Sequence, residues 1–195
     1  MTGMPAAGAA SAGTAAAVPS AVVRPAGEDD VPAIQAIYGH HVVHGSGSFE
    51  LVPPELDEMA RRRADIVGRG MPYLVAEQDG RVVGFAYAAP YRPRAAYRYT
   101  VEDSVYVAPD AIGGGVGTAQ LAALIETCTA MGFRQMVAVI GDSENRGSMR
   151  LHEKAGFTVA GTLKAVGYKF DRWVDSVTMQ RALGAGSKTQ PPGGG

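Results

Sequence analysis

The sequence predicts one α/β (α+β) domain built on a mixed sheet, and three observations carry that prediction. Two strand-like runs flank an Asp79-Gly80 turn. A Tyr-, Thr- and Val-rich run then ends at a glycine cluster that opens a helical stretch. Finally, a continuous apolar run over 136–140 leads into a short helical stretch and two more strand-like runs. Strands alternating with helices through short connections build a sheet flanked by helices. A chain of 195 residues with 46% hydrophobic content can bury one sizeable core.

Ala21 to Arg24 reads as a short strand, and the following Glu28-Asp29-Asp30 with Pro32 gives acids and a proline where a helix begins. Ile34, Ile37, Tyr38, His41 and Val42 recur at helical spacing, which predicts one apolar face. Leu56, Met59, Arg63, Ile66 and Val67 repeat the pattern less cleanly until Gly68. Tyr73 to Glu77 and Arg81 to Tyr87 form the predicted hairpin, and Tyr97 to Val107 a long strand that stops at Ala108-Pro109-Asp110. Leu121, Leu124, Ile125 and Cys128 share one face of a helix predicted over 118–131. Met136 to Ile140 suits the middle of a sheet covered on both sides. A helix over 146–155 follows, and two terminal strands, 157–170 and 173–181, close around Asp171-Arg172.

The domain is expected over 21–183. The Ala- and Gly-rich segment 1–20 and the Pro- and Gly-rich segment 184–195 read as disordered tails, because neither can bury enough surface to offset its ordering entropy. With Lys+Arg 18 against Asp+Glu 19, the charge balance calls for neither nucleic acid nor an anionic membrane, and a small molecule is the expected partner. No apolar run is long enough to span a bilayer, and the start does not resemble a secretory signal, so a soluble, cytoplasmic protein is expected. The lone Cys128 reads as an inert core thiol. His40, His41 and His44 cluster without metal-like partners, so no metal site is expected.

Two constellations carry chemistry. In Ile112-Gly113-Gly114-Gly115-Val116-Gly117-Thr118, glycines let backbone approach a ligand, and the helix start aims free N–H groups at a phosphate. Alone, such a cluster also makes an ordinary turn. It is not a P-loop, since no Gly-Lys-Ser/Thr follows, and no acid stands where a dinucleotide-binding unit needs one. The second runs from Asn145 to Phe157 and places Asn145, Ser148 and His152 on one helical stripe. Each has a plain reading as well: a cap, a solvated hydroxyl, a surface histidine.

Taken together, the two segments resemble the GNAT acetyltransferases, whose signature is Q/R-x-x-G-x-G/A followed later by N-x-x-S/A-x-x-x-Y/H-E-x-x-G-F. The second motif matches in full and the first in its glycines, while Ile112 stands where Gln or Arg usually does. That replacement removes one polar contact and leaves the backbone amides. The resemblance spans about residues 21–182 and implies the GNAT fold, with a mixed, mostly antiparallel central sheet flanked by helices. One branch is closer still, the phosphinothricin and methionine sulfoximine/sulfone acetyltransferases. Its marks stand at Phe49-Glu50, Tyr87 to Arg94, Thr100 to Val107, Val137 to Gly141, Leu151-His152-Glu153 and Gly167-Tyr168-Lys169.

The resemblance implies acetyl transfer from acetyl-CoA to the α-amino group of a small amino acid analogue, without a metal. It implies Glu102 as the base that takes the ammonium proton and His152 as the acid for the departing thiolate or a second base. Val105, Tyr106 and Val107 would pair with the pantetheine arm and supply an oxyanion donor. Gly113, Gly114, Gly115, Val116, Gly117 and Thr118 would hold the pyrophosphate, with Asn145 and Ser148 on the arm. The acceptor site is expected at Arg92, Arg94, Glu102, Asp103, Ser104 and Phe49, the guanidinium groups pairing with a carboxylate. A homodimer with acceptor sites near its interface is implied too. Two rivals remain open: acetylation of another amine, such as a polyamine, an aminoglycoside or a protein N-terminus, and a sensor that binds acyl-CoA without turnover.

Overall fold

The computed structural model describes residues 21–191. The expected tail over 1–20 and the end of the other, 192–195, lie outside the described residues. Residues 184–191, the start of the second expected tail, run as turns, with the Arg134 guanidinium reaching Thr189 Oγ1 and the Gln190 carbonyl, both at 3.0 Å.

Among the described residues, seven strands and four α-helices make up the fold: β1 (Val22–Pro25), α1 (Val31–His44), α2 (Leu56–Gly68), β2 (Tyr73–Gln78), β3 (Arg81–Pro90), β4 (Thr100–Val107), α3 (Val116–Ala130), β5 (Gln135–Gly141), α4 (Arg146–Lys154), β6 (Thr158–Lys169) and β7 (Arg172–Ala182). They form one sheet of order β1-β2-β3-β4-β5-β7-β6. Every neighbouring pair is antiparallel except β4 and β5.

The turn at Asp79-Gly80 has positive φ at both residues, the geometry that a two-residue hairpin requires and the reason the dipeptide was legible. Before α1, the Gly27 N–H donates to Asp30 Oδ2 at 2.7 Å, and the Arg24 fork closes on the same carboxylate at 2.8 and 2.9 Å, which ties β1 to the helix start. Two of the boundaries that differ from expectation have a local reason. Tyr97 belongs to a 3-10 turn over Ala95–Tyr97, so β4 begins only at Thr100. The last hairpin turns at Phe170-Asp171, one residue early, because Lys169 pairs with Arg172 in the β6/β7 register.

The sheet separates two apolar layers. On one face, Ile34, Tyr38 and Val42 of α1 pack on Val75 and Phe85, with Tyr106 beside them. On the other, Leu121, Leu124 and Cys128 of α3 pack on Val101, Met136 and Met179. Truncating a fully buried ring such as Phe85 to alanine would cost about 3–5 kcal/mol. Cys128 lies in this second layer, where burial pushes its thiol up to about 12, so it stays protonated and inert. No helix of the described residues is long and apolar enough to cross a membrane.

Candidate active site

The sheet opens at its one parallel seam. Pairing of β4 with β5 runs from Thr100↔Gln135 to Asp103↔Ala138 and stops, although both strands continue. The gap is a cleft of about 820 Å³, within the range of small-molecule sites. It is lined by the ends of both strands, the glycine cluster, α4 and the loop residues Gly45, Ser46 and Gly47.

Strand alternation decides what β4 offers this gap. The Ala108 N–H donates to Val83 of β3, and the Thr100 carbonyl accepts from Tyr91. Even-numbered residues therefore turn their backbone groups to β3, and Val105 and Val107 turn theirs toward the gap. The Val107 carbonyl is taken by His41 Nε2–H at 2.8 Å, and burial pulls the His41 pKa down, so this imidazole is a neutral donor. Free strand amides facing a cleft suit a carbonyl or amide partner.

At one end of the gap the glycine cluster makes an open cradle. Gly113 and Gly115 have φ of 87° and 83°, a conformation side chains resist, and Gly115 is the N-cap of α3. The first bond into the helix is donated by the Ala119 N–H, to the Gly115 carbonyl at 3.0 Å, which leaves the N–H groups of Val116, Gly117 and Thr118 outside the helical ladder. A Cβ on Gly117 would press on Leu151 and Val107, so glycine is needed there for close packing of α3. Ile112 is 66% exposed and borders the cleft beside the cradle, where an apolar side chain leaves anion binding to the amides.

α4 borders the cleft with the expected stripe. Asn145 caps the helix, its Oδ1 accepting from the Ser148 N–H at 3.2 Å, and it lines the cleft together with Ser148. The same helix sets two further cations at the cleft, Arg150 and Lys154, both exposed. The motif reading missed them because basic residues on a short surface helix carry no signal of their own.

His152 and Asp103 form a buried pair. His152 is buried, with Nε2 3.0 Å from Asp103 Oδ2 and Nδ1 2.8 Å from the Ser148 carbonyl oxygen. The Ser148 carbonyl can only accept, so Nδ1 carries a proton. Burial alone would lower the pKa of this imidazole, but the Asp103 hydrogen bond and charge, with the Ser148 carbonyl, outweigh it and raise the pKa. Both nitrogens of the ring are thus engaged within the protein, which the expected acid role did not foresee. Alternation turns the Asp103 side chain to the α3/α4 layer, away from Glu102, where it pairs with His152.

Glu102 points to the α1/α2 side with Ser104, which hydrogen-bonds Tyr87. Burial raises the Glu102 pKa, the Asp103 charge raises it further, and only Arg92 opposes. Its register partner on β5 is Val137, so Val139 and Gly141 share its face. That half of the sheet is open: Val139 is 44% exposed and Leu163 61%. Arg92 and Arg94 lie exposed in the loop between β3 and β4, and the Arg92 guanidinium stacks on Tyr91, its carbon 4.9 Å from the ring centroid. Phe49 stands further along the same face, over Gly141 and Gly167. The structure thus brings Glu102 and Arg92 within reach of each other, one residue along β4 from the cleft-lining Asp103, and sets Phe49 at the far end of the open face; Glu102, Arg92, Arg94 and Phe49 themselves do not line the cleft. Among the described residues no group of three or more His, Cys, Asp or Glu could hold a metal ion.

The residue profile of the Acetyltransferase (GNAT) family matches residues 43–157, from the end of α1 through α4. The chain belongs to this family. The GNAT fold expected from the two motifs is the fold observed. Over 169 residues, 87% of this chain and 86% of the other, this GNAT protein is 56% identical to phosphinothricin N-acetyltransferase of Alcaligenes faecalis. It is 42% identical to the L-methionine sulfoximine/L-methionine sulfone acetyltransferase of Pseudomonas paraeruginosa over 84% of this chain and 95% of that protein. The crystal structure of a GNAT superfamily phosphinothricin acetyltransferase from Sinorhizobium meliloti in complex with AcCoA matches it with a TM-score of 0.87 at 45% identity, covering 90% of this chain and 95% of that one.

Proposed function

We propose that this GNAT enzyme transfers acetyl from acetyl-CoA to the α-amino group of a small amino acid analogue of the phosphinothricin, methionine sulfoximine or methionine sulfone type. One observation carries the reading: a carboxylate of raised proton affinity, Glu102, lies on the open face of the sheet at the seam whose far end is the amide cradle. The named acceptors of the relatives described above support the substrate class.

Acetyl-CoA supplies the thioester. The N–H groups of Val116, Gly117 and Thr118 hold its diphosphate, and the Asn145 amide and the Ser148 hydroxyl meet the arm. Val105 and Val107 direct N–H groups to the gap and steady the thioester oxygen as negative charge builds there. Glu102, directly or through a water, removes a proton from the acceptor ammonium, and its raised pKa brings it toward the neutral range where a base works best. The freed amine forms the N–C bond as the C–S bond breaks, and the proton that the nitrogen sheds in becoming an amide passes through solvent to the departing thiolate, which leaves as the thiol. Arg92 and Arg94 pair with the acceptor carboxylate. His152 holds Asp103 and thereby the backbone of β4 next to Glu102.

A homodimer completes this reading. The β6/β7 hairpin, at the edge of the sheet, leaves Leu163, Val166, Tyr168, Phe170 and Trp173 each more than half exposed, apolar surface next to the open face. A second copy docked there would close the acceptor site. We place the reaction in the cytoplasm, where acetyl-CoA and free amino acids meet, and acetylating such analogues would confer resistance to them.

The deciding experiment is thiol release from acetyl-CoA with each acceptor, in the wild type and in Glu102→Gln. Turnover with an amino acid analogue that the variant loses supports the proposal. Tight coenzyme binding with no turnover over a broad amine panel would favour the sensor.

A further inference from the structure

Part of the cleft wall is neither strand nor helix. The loop 45–49 after α1 contributes Gly45, Ser46 and Gly47 to the cleft and ends at Phe49 on the Glu102 face. Two distant glycines make room for it. A Cβ on Gly167 would lie 2.6 to 3.0 Å from three atoms of the Phe49 ring, and one on Gly141 would collide with the Ser46 carbonyl oxygen.

What fixes this loop is a buried charge. Lys169, at the end of β6, is only 4% exposed, and its ammonium donates to two carbonyl oxygens of the loop, Gly45 at 2.8 Å and Ser48 at 2.7 Å. On its other flank the loop meets Tyr38, whose hydroxyl contacts Ser48 Oγ and Glu50 Oε1, each at 2.9 Å, while Arg62 reaches Glu50 at 2.6 Å. Apolar packing or a neutral donor would hold an ordinary loop without the cost of desolvating an ammonium. The two carbonyls it takes bracket the cleft-lining residues, and the second belongs to the residue just before Phe49.

We infer that Lys169 is a positioning residue for the acceptor: it pins the loop 45–49 and so sets the place of the Phe49 ring on the acceptor face. What the ring meets rests on the acceptor proposed above, whereas the pinning does not. Lys169→Met keeps most of the stem and loses both hydrogen bonds; Lys169→Arg keeps the charge. In Lys169→Met, amide exchange at 45–49 should quicken roughly tenfold or more, since two charge-assisted bonds are gone. The acceptor KM should rise by about tenfold and that for acetyl-CoA by less than about threefold, with partial rescue in Lys169→Arg. Gly167→Ala moves the ring from the other side with Lys169 intact and should also raise the acceptor KM; it decides the matter if Lys169→Met does not fold. Unchanged exchange in a folded Lys169→Met, equal rises in both KM values, or an unaffected acceptor KM in Gly167→Ala would each overturn the inference. A wild type that acetylates no amino acid analogue would sink the proposed acceptor instead, and loop exchange would still decide the pin.

Discussion

Replacing His152 by leucine should be among the most damaging single changes outside the two apolar layers. The side chains of His152 and Asp103 are 4% and 1% exposed, and Asp103 Oδ1 has no partner among the described residues, so His152 is the one group shown compensating that carboxylate. Breaking a buried pair from one side costs about 3–5 kcal/mol, because the remaining charge is stranded. For a domain of this size that is a fall in Tm of about 6–20 °C. The pH dependence has a definite sign. The folded pKa of His152 is raised, so its contribution is complete below the unfolded value near 6.5 and is lost as pH rises through the folded value. Urea titrations across that interval should show the wild-type stability declining and the variant flat in this respect. Asp103→Asn in the His152→Leu background should recover a good part of the loss, since it removes the stranded charge. A single variant that loses less than about 1 kcal/mol, or a double variant with strictly additive losses, would refute the role of the buried His152–Asp103 pair.

Glu102→Gln should lower kcat/KM by roughly 10²–10⁴ with acetyl-CoA affinity unchanged by calorimetry; because the Glu102 pKa is raised, wild-type activity should fall as pH drops through that value, and this acid limb should be missing from the variant. Gly115→Ala forces a left-handed φ on a side chain and should weaken acetyl-CoA binding by about five- to thirtyfold in the same assay, from about 1–2 kcal/mol of strain. Arg150→Ala with Lys154→Ala should weaken coenzyme binding severalfold at low salt, and a difference from wild type that does not shrink with added salt would argue against their facing its phosphates.

The fold was readable because its elements carry local signals: Asp79-Gly80 for the hairpin, Pro32 after acids for α1, and Leu121, Leu124, Ile125 and Cys128 for α3. The cradle and the Asn145 cap were readable for the same reason. What escaped is non-local. Asp103 and His152 lie 49 residues apart, and neither announces its partner. Period two alone assigns Asp103 and Glu102 to opposite faces, but a run of polar motif residues hid that consequence. Lys169 and the loop it holds are 121 and 124 residues apart, and glycines at 141 and 167 take their meaning only from the chain that passes over them.

The early divergence of β4 from β5 leaves a tear in an otherwise continuous fabric. A reactant that threads it would stitch the torn edges, so rigidity and catalytic competence arrive with the same event. The empty enzyme is then the softer one, and heat or proteases would find it first when the supply of activated acetate runs low.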